Sequence, residues 1–190
     1  MFAWLYGRNN PRRIAGRLYE AIVTQARNPA FYSDHGVPDT LEGRYEMVVA
    51  HLVLVIERLR AQGDTSELLS RALVERFVTD MDDSMRELGV GDTSVAKKVK
   101  GAAAGLVERT AAYRKELKAG PEHLAAEIRR NIEGNVEAPA ANPAAIPPRD
   151  ADLIIARYLY RSAEALARRP IQDILSGKPL FEPIQLTLTR

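Results

Sequence analysis

Apolar residues recur at intervals of three and four along most of the chain, and groups of turn-forming residues separate these stretches. Ile14, Leu18 and Ile22 show this spacing in the first stretch, which is typical of one face of a helix. No segment shows the sustained two-residue alternation of strands. The sequence therefore predicts an all-α protein, a single helical bundle of about six helices. The expected helices cover about 11–28, 40–62, 64–88, 92–118, 121–133 and 150–168.

Residues with capping preferences stand where these helices are expected to begin and end. Asn10 precedes Pro11, which suits an N-cap followed by the first helical position. Asp64 with Glu67 three residues later resembles a capping box. Gly89 follows the third helix, where a glycine readily adopts the left-handed conformation of a helix end. These signals locate the helix boundaries.

Two of the helices carry apolar faces that we expect to be buried. The face of the second helix consists of Tyr45, Val48, Val49, Leu52, Ile56 and Leu59. The face of the third consists of Leu69, Leu73, Phe77, Met81 and Leu88. His51 lies within the apolar second helix, and we expect it to be a core histidine whose hydrogen bonds are satisfied.

Composition divides the chain before its last helix. The segment GNVEAPAANPAAIPP, residues 134–148, is rich in alanine and proline and has little to bury, which is typical of a linker. We expect a helical domain over 1–133, a Pro/Ala-rich linker over 134–149, and a C-terminal helix with an extended tail over 150–190. The sequence leaves open whether this helix docks on the bundle or contacts another molecule.

Composition and charge exclude several classes of protein. The chain of 190 residues has no cysteine and a formal net charge of +2, so disulfides are excluded and nothing indicates sequence-specific nucleic-acid binding. The N-terminal MFAWLYGRNNPRR places apolar residues before basic ones, which reverses the order of a secretory signal. No apolar run approaches the ~20 residues that a membrane span needs. We therefore expect a cytoplasmic protein.

Sequence patterns of catalysis and metal binding are not found. His35, His51 and His123 each lack a second histidine three or four residues away, so the spacing of a zinc site is missing. The chain has no G-x-S-x-G elbow and no glycine-rich phosphate loop. The sequence therefore predicts no catalytic residues, no metal site and no cofactor, and a protein that acts by binding another protein.

One acidic cluster supports an alternative from the enzyme class. Asp80, Asp83 and Glu87 are spaced by three and four residues, so their carboxylates fall on one helical face and suit Mg²⁺. The string DMDD, residues 80–83, also matches a short acidic motif of some terpene cyclases. Against this, Asp82 and Arg86 form an ordinary i,i+4 pair. A magnesium-dependent all-helical enzyme thus remains an alternative.

The N-terminus supports a third hypothesis, a protein-binding adaptor at a membrane surface. Phe2 and Trp4 precede Arg12 and Arg13, and aromatic residues beside arginines suit a lipid interface. These four residues are the candidates for membrane contact. The other interpretation is that the aromatic side chains cover the hydrophobic core, where they bury large areas.

Two blocks of residues have an order and spacing that are specific when taken together. The first contains Tyr19, residues 25–29 (QARNP), 31–32 (FY), 36–40 (GVPDT) and 43–47 (GRYEM), and His51. The second contains residues 80–82 (DMD), 86–87 (RE), 89–92 (GVGD) and 97–98 (KK). Over about residues 12–118 the chain resembles the ubiquinol–cytochrome c chaperone family, the assembly factors of respiratory complex III. It departs at residues 106–109, where the family often has aromatic residues, and nothing matches after about residue 120.

The resemblance implies a non-catalytic chaperone that binds newly made cytochrome b, the nascent membrane-protein client, and assists assembly of the cytochrome bc complex. It implies a bacterial protein that is peripheral to the cytoplasmic face of the inner membrane, with contact to the ribosome or the membrane surface as a further option. The oligomeric state stays open. The candidates for client contact are Arg44, Glu46, Asp80, Asp82, Arg86 and Asp92. The alternative for each is an ion pair inside the bundle, which would be purely structural.

Overall fold

The structure is a computed structural model that describes residues 10–60, 62–133, 149–176 and 180–181 of the 190-residue chain. These ranges contain six long helices and two short ones, and they contain no strand. The predicted all-α class is confirmed. The helices are α1 (Pro11–Ala26), α2 (Ala30–Ser33), α3 (Leu41–Leu59), α4 (Asp64–Glu87), α5 (Asp92–Ala119), α6 (Pro121–Glu133), α7 (Asp150–Arg168) and α8 (Ile171–Leu175).

The first helix is capped as its sequence predicts, whereas the third long helix begins at the predicted residue without the predicted cap. The Asn10 side chain accepts a hydrogen bond from the Arg12 backbone N–H at 3.0 Å, which satisfies one of the free donors of the first turn. At α4 the N-cap is Gly63, which has no side chain to accept such a bond, and Asp64 is already helical. The predicted capping box at Asp64 is therefore wrong.

The end of α4 confirms the role of Gly89. Its φ of 74° lies in the left-handed region, which a glycine adopts without a Cβ clash. Its backbone N–H donates to the Arg86 carbonyl at 2.9 Å, and the Val90 N–H donates to the Met85 carbonyl at 3.1 Å. This pair of bonds is the Schellman arrangement, and it turns the chain directly into α5.

Helix α3 lies at the centre of the bundle. It packs against α1, α4, α5, α6 and α7, which are all the other long helices of the described ranges. Every residue from Glu46 to Val55 is buried. The predicted apolar face of this helix is buried or packed against the core, and its other sides are covered as well, as expected for a helix that is apolar almost all round.

The C-terminal helix α7 docks on the bundle. It packs against α3 and α6, and it buries Ile155, Leu159 and Leu166 in the same hydrophobic cluster as the residues of α1 and α3. Beyond α8, Leu180 is also buried in this cluster. The question that the sequence left open is thus answered, since α7 completes the core of the bundle.

The turn between α4 and α5 lies outside the core, although Val78, Met81 and Ala102 on the flanking helices still pack against it. Leu69, Leu73 and Phe77 are buried as predicted, whereas Met81 is only partly buried and Leu88 is 60% exposed. We call residues 78–105 the outer hairpin, because α4 and α5 pack against each other on either side of the turn at 88–91. The apolar face of α4 thus stops contributing to the core before the helix ends.

His51 is a satisfied core histidine, as predicted. Its side chain is fully buried. Because the Met47 carbonyl, 2.7 Å from Nδ1, can only accept, Nδ1 carries the proton. Nε2 then accepts from the Tyr158 hydroxyl at 2.9 Å, and that hydroxyl accepts from Gln25 Nε2 at 2.9 Å. The neutral imidazole therefore joins α1, α3 and α7 through one chain of hydrogen bonds.

Two aromatic rings enclose the same imidazole. The ring of Phe31, from the short helix α2, meets His51 edge-on with centroids 5.7 Å apart. The ring of Phe181 meets it edge-on at 5.1 Å. Edge-to-face contacts of this kind favour a fixed ring orientation.

None of the helices in the described ranges is long and apolar enough to cross a lipid bilayer.

Candidate protein-binding surface

Glu46 is buried inside the bundle and does not reach the surface. Its carboxylate accepts from Arg109 Nε at 2.6 Å and from the hydroxyl of the buried Tyr113. Burial raises the pKa of Glu46, and Arg109 and Tyr113 oppose that shift by stabilising the charged form. These contacts join α3 to α5, so Glu46 has the structural role that the sequence left as an alternative.

Arg86 joins the two helices of the outer hairpin at its turn. Its guanidinium bonds the Asp82 carboxylate at 2.7 Å on α4 and the Asp92 carboxylate at 2.6 Å at the start of α5. Asp92 is 88% exposed, and Arg86 is also exposed. The two carboxylates raise the pKa of Arg86 through these hydrogen bonds. Three of the predicted candidates thus form one ionic cluster on the surface.

The acidic cluster of the magnesium hypothesis does not converge. The Asp80 carboxylate accepts the Tyr19 hydroxyl at 3.0 Å, whereas Asp83 and Glu87 are exposed. In the part of the chain that the structure describes, no group of three His, Asp or Glu side chains is placed to hold a metal ion. Helical spacing brings the carboxylates to one side of α4, but Tyr19 of α1 engages the first of them.

Arg44 lies on the surface at the start of α3. Its Nε bonds the Asp39 carboxylate at 2.6 Å, and its guanidinium lies 5.7 Å from the centre of the Tyr32 ring. The hydrogen bond from Arg44 lowers the pKa of Asp39.

The close turn before α3 depends on Gly43, where a Cβ would lie 2.1 Å from the Pro38 carbonyl oxygen.

A second arginine stacks on a tyrosine beside this point. Arg76 of α4 lies 5.9 Å from the centre of the ring of Tyr19, which is buried. Arg27, at the end of α1, lies close enough to lower the pKa of both Tyr19 and Tyr32, against the rise that burial causes. We call the five residues Tyr19, Arg27, Tyr32, Arg44 and Arg76 the arginine–tyrosine face.

This face joins the two blocks of residues that are separate in the sequence. Tyr19 belongs to the first block and Asp80 to the second, and their hydrogen bond spans 61 positions of the chain. Sequence reasoning included Arg27 in the first block but chose neither Arg27 nor Arg76 as a candidate for client contact. One signal was present, because Arg76 stands four residues before Asp80 and therefore shares its side of α4.

The candidates for membrane contact are only partly described. Phe2 and Trp4 lie outside the described residues. Arg12 is 84% exposed and lies 3.9 Å from the carboxylate of Glu75 on α4. Arg13 is exposed as well. The start of α1 thus presents two cationic side chains at the surface of the bundle.

The fold and this surface define a class of protein. It is an all-helical bundle whose surface carries an ion-pair cluster at a hairpin turn and arginines that stack on tyrosine rings. The chain belongs to the ubiquinol-cytochrome C chaperone family, whose family model matches residues 33–181. The crystal structure of the Cbp3 homolog from Brucella abortus is similar, with 30% sequence identity and a TM-score of 0.79. The match covers 96% of this chain and 97% of that chain. No curated protein matches the chain.

The family match extends past the C-terminal end of the region that the sequence blocks indicated, although it begins only at residue 33. The blocks suggested a resemblance over about 12–118, whereas the family model continues to residue 181 and includes α6 and α7. The suggestion that nothing matches after residue 120 is therefore wrong. Because α7 supplies buried residues to the core, its inclusion agrees with its place in the fold.

Proposed function

We propose that this protein binds newly made cytochrome b and assists its assembly into the cytochrome bc complex, respiratory complex III. The observation that carries the proposal is the match to a chaperone family over residues 33–181. A chaperone has a client protein as its partner, and cytochrome b is the client that the family resemblance implies. The proposal includes no chemical step, because binding and release are enough for this function.

The turn of the outer hairpin supports the proposal, since it offers a surface that does not pack against the core. Leu88 is 60% exposed at its turn, next to the ionic cluster of Asp82, Arg86 and Asp92. Protein-binding surfaces combine an apolar centre with polar residues that fix orientation. In this arrangement Leu88 contacts apolar client residues, and the Arg86 cluster fixes the register.

Location follows from the nature of the client. We place the protein at the cytoplasmic face of the bacterial inner membrane, where a nascent membrane protein emerges. Arg12 and Arg13 are exposed, and they suit contact with anionic lipid headgroups. Phe2 and Trp4 would add an aromatic contact at the lipid interface.

The test is a pull-down from native membrane extract with the tagged full-length protein. Wild-type protein should recover cytochrome b, and the Arg86→Ala variant should recover it several-fold less. Arg71→Ala is the matched control, because Arg71 lies on the same helix and forms an exposed i,i+4 pair with Glu67. We expect this control to recover cytochrome b like the wild type.

Two results would contradict the proposal. One is a wild-type pull-down that lacks cytochrome b while the tagged protein is folded and present. The other is a deletion strain with normal amounts of cytochrome b and assembled complex III. If Arg86→Ala recovers as much cytochrome b as the wild type, the hairpin turn is not part of the surface that contacts the client.

A further inference from the structure

Two arginines of the arginine–tyrosine face have no acidic partner among the described residues. Arg27 and Arg76 are both exposed, and neither forms an ion pair within the part of the chain that the structure describes. The third arginine, Arg44, is bonded to Asp39. Two guanidinium groups on one face are therefore available to an anion from another molecule.

A tyrosine ring orients one of these two cations, Arg76, and a second ring orients the neighbouring Arg44. Arg76 stacks over Tyr19 at 5.9 Å, and Arg44 stacks over Tyr32 at 5.7 Å. A hydrogen bond from its hydroxyl fixes each ring. The Tyr19 hydroxyl donates to the Asp80 carboxylate at 3.0 Å, and the Tyr32 hydroxyl donates to the Ala26 carbonyl at 2.7 Å. A guanidinium that is already oriented loses less conformational freedom when it binds a carboxylate.

The charges around the face distinguish between two sources of an anion. Asp80 and Asp39 lie on the same face as the arginines, so a dense layer of lipid phosphates would meet two carboxylates as well. A polypeptide segment can place its carboxylates at Arg27 and Arg76 and keep them away from the aspartates. The mixture of charges thus favours a peptide over a membrane surface.

We propose that the arginine–tyrosine face binds a carboxylate-rich segment of the client polypeptide, with Arg27 and Arg76 as its anion contacts. Arginine binds carboxylates through paired N–H donors, which gives direction as well as strength. The proposal rests on the proposed function for the identity of the client. The chemistry of the ligand rests on the face itself.

The test uses the full-length protein and a fluorescein-labelled peptide of alternating glutamate and serine, followed by fluorescence anisotropy. We expect saturable binding that weakens with added salt. The double variant Arg27→Gln/Arg76→Gln should bind about tenfold more weakly, since it loses two charge-assisted contacts. Arg71→Gln changes the net charge on the same helix and is expected to bind like the wild type.

A second variant and a second probe complete the test. Arg27→Lys/Arg76→Lys keeps both charges and should restore part of the binding, whereas a lysine peptide should not bind. Circular dichroism confirms that all variants are folded. Equal peptide binding by the wild type and the glutamine double variant, or no binding by the wild type, would overturn the proposal. The proposal would also be overturned if the protein bound phosphatidylglycerol vesicles through Arg27 and Arg76 while its binding of the peptide did not depend on them.

The same variants separate this inference from the proposed function. If the glutamine double variant recovers cytochrome b from membrane extract as well as the wild type does, the acidic-segment contact is wrong and the proposed function stands. If the wild type recovers no cytochrome b, the proposed function fails. Loss of recovery in the double variant, with recovery intact in Arg71→Gln, supports both.

Discussion

Acidification is expected to weaken the fold through His51. Burial lowers the pKa of His51 from 6.5 to about 4, because a charged imidazole in the core would lose its hydration. The unfolded chain keeps the ordinary pKa. Between these two values the unfolded state binds the proton and the folded state does not, so stability is complete above pH 6.5 and falls as the pH decreases toward 4.

The two pKa values set the size of this effect. Each unit of difference corresponds to about 1.4 kcal/mol. Relative to neutral pH, the free energy of unfolding should decrease by about 2 kcal/mol at about pH 5 and by about 3 kcal/mol at about pH 4. A domain is stable by only about 5–15 kcal/mol in total, so a loss of this size is measurable.

The assay is urea unfolding, followed by far-UV circular dichroism, at several pH values between about 5 and 7.5. His51→Gln removes the titration and keeps an acceptor for the Tyr158 hydroxyl. Over this range the wild type should lose about 2 kcal/mol more than His51→Gln. His123→Gln is the control, because His123 is exposed on α6, and it should follow the wild type. The reasoning is refuted if the wild type and His51→Gln lose equal stability.

Two further comparisons use the same measurement of unfolding free energy. Gly43→Ala should destabilise the protein by about 1–3 kcal/mol, because its Cβ would lie 2.1 Å from the Pro38 carbonyl oxygen. Gly16→Ala, in α1 with no atom within 4 Å of its Cβ position, should stabilise it by about 0.5–1 kcal/mol. If both variants change stability in the same direction, one of these two predictions is wrong. Phe77→Ala should cost about 3–5 kcal/mol, whereas Leu88→Ala, at 60% exposure, should cost less than about 0.5 kcal/mol. Equal costs would show that the end of α4 is packed like its middle.

Helix boundaries could be predicted because local residues determine them. Asn10 with Pro11 and the left-handed Gly89 act within a few positions of the ends that they define. Burial depends on neighbours that are distant in the sequence, so it was predicted less well. Leu88 continues the apolar spacing of α4 but lies beyond the helices that would cover it. For Glu46 the sequence left open client contact or an ion pair inside the bundle, because Arg109 and Tyr113, which enclose it, lie on a different helix, α5.

The candidate surface shows the same division. The i,i+4 pair of Asp82 and Arg86 could be predicted from spacing, and the structure confirms it. The arginine–tyrosine face could not, because Tyr19 and Arg76 meet only when α1 packs on α4. A local pattern carries no information about which helices become neighbours, and packing decides that.

The burial of α3 on all sides has a consequence for the synthesis of the protein. Its covering is complete only when α7 docks, and the bond between His51 and Tyr158 spans 107 positions of the chain. A chain that grows from its N-terminus therefore carries α3 with an apolar flank open to water until residues 150–168 have left the ribosome. During that interval the growing chain is itself prone to association, and its last long helix ends this state by completing the core.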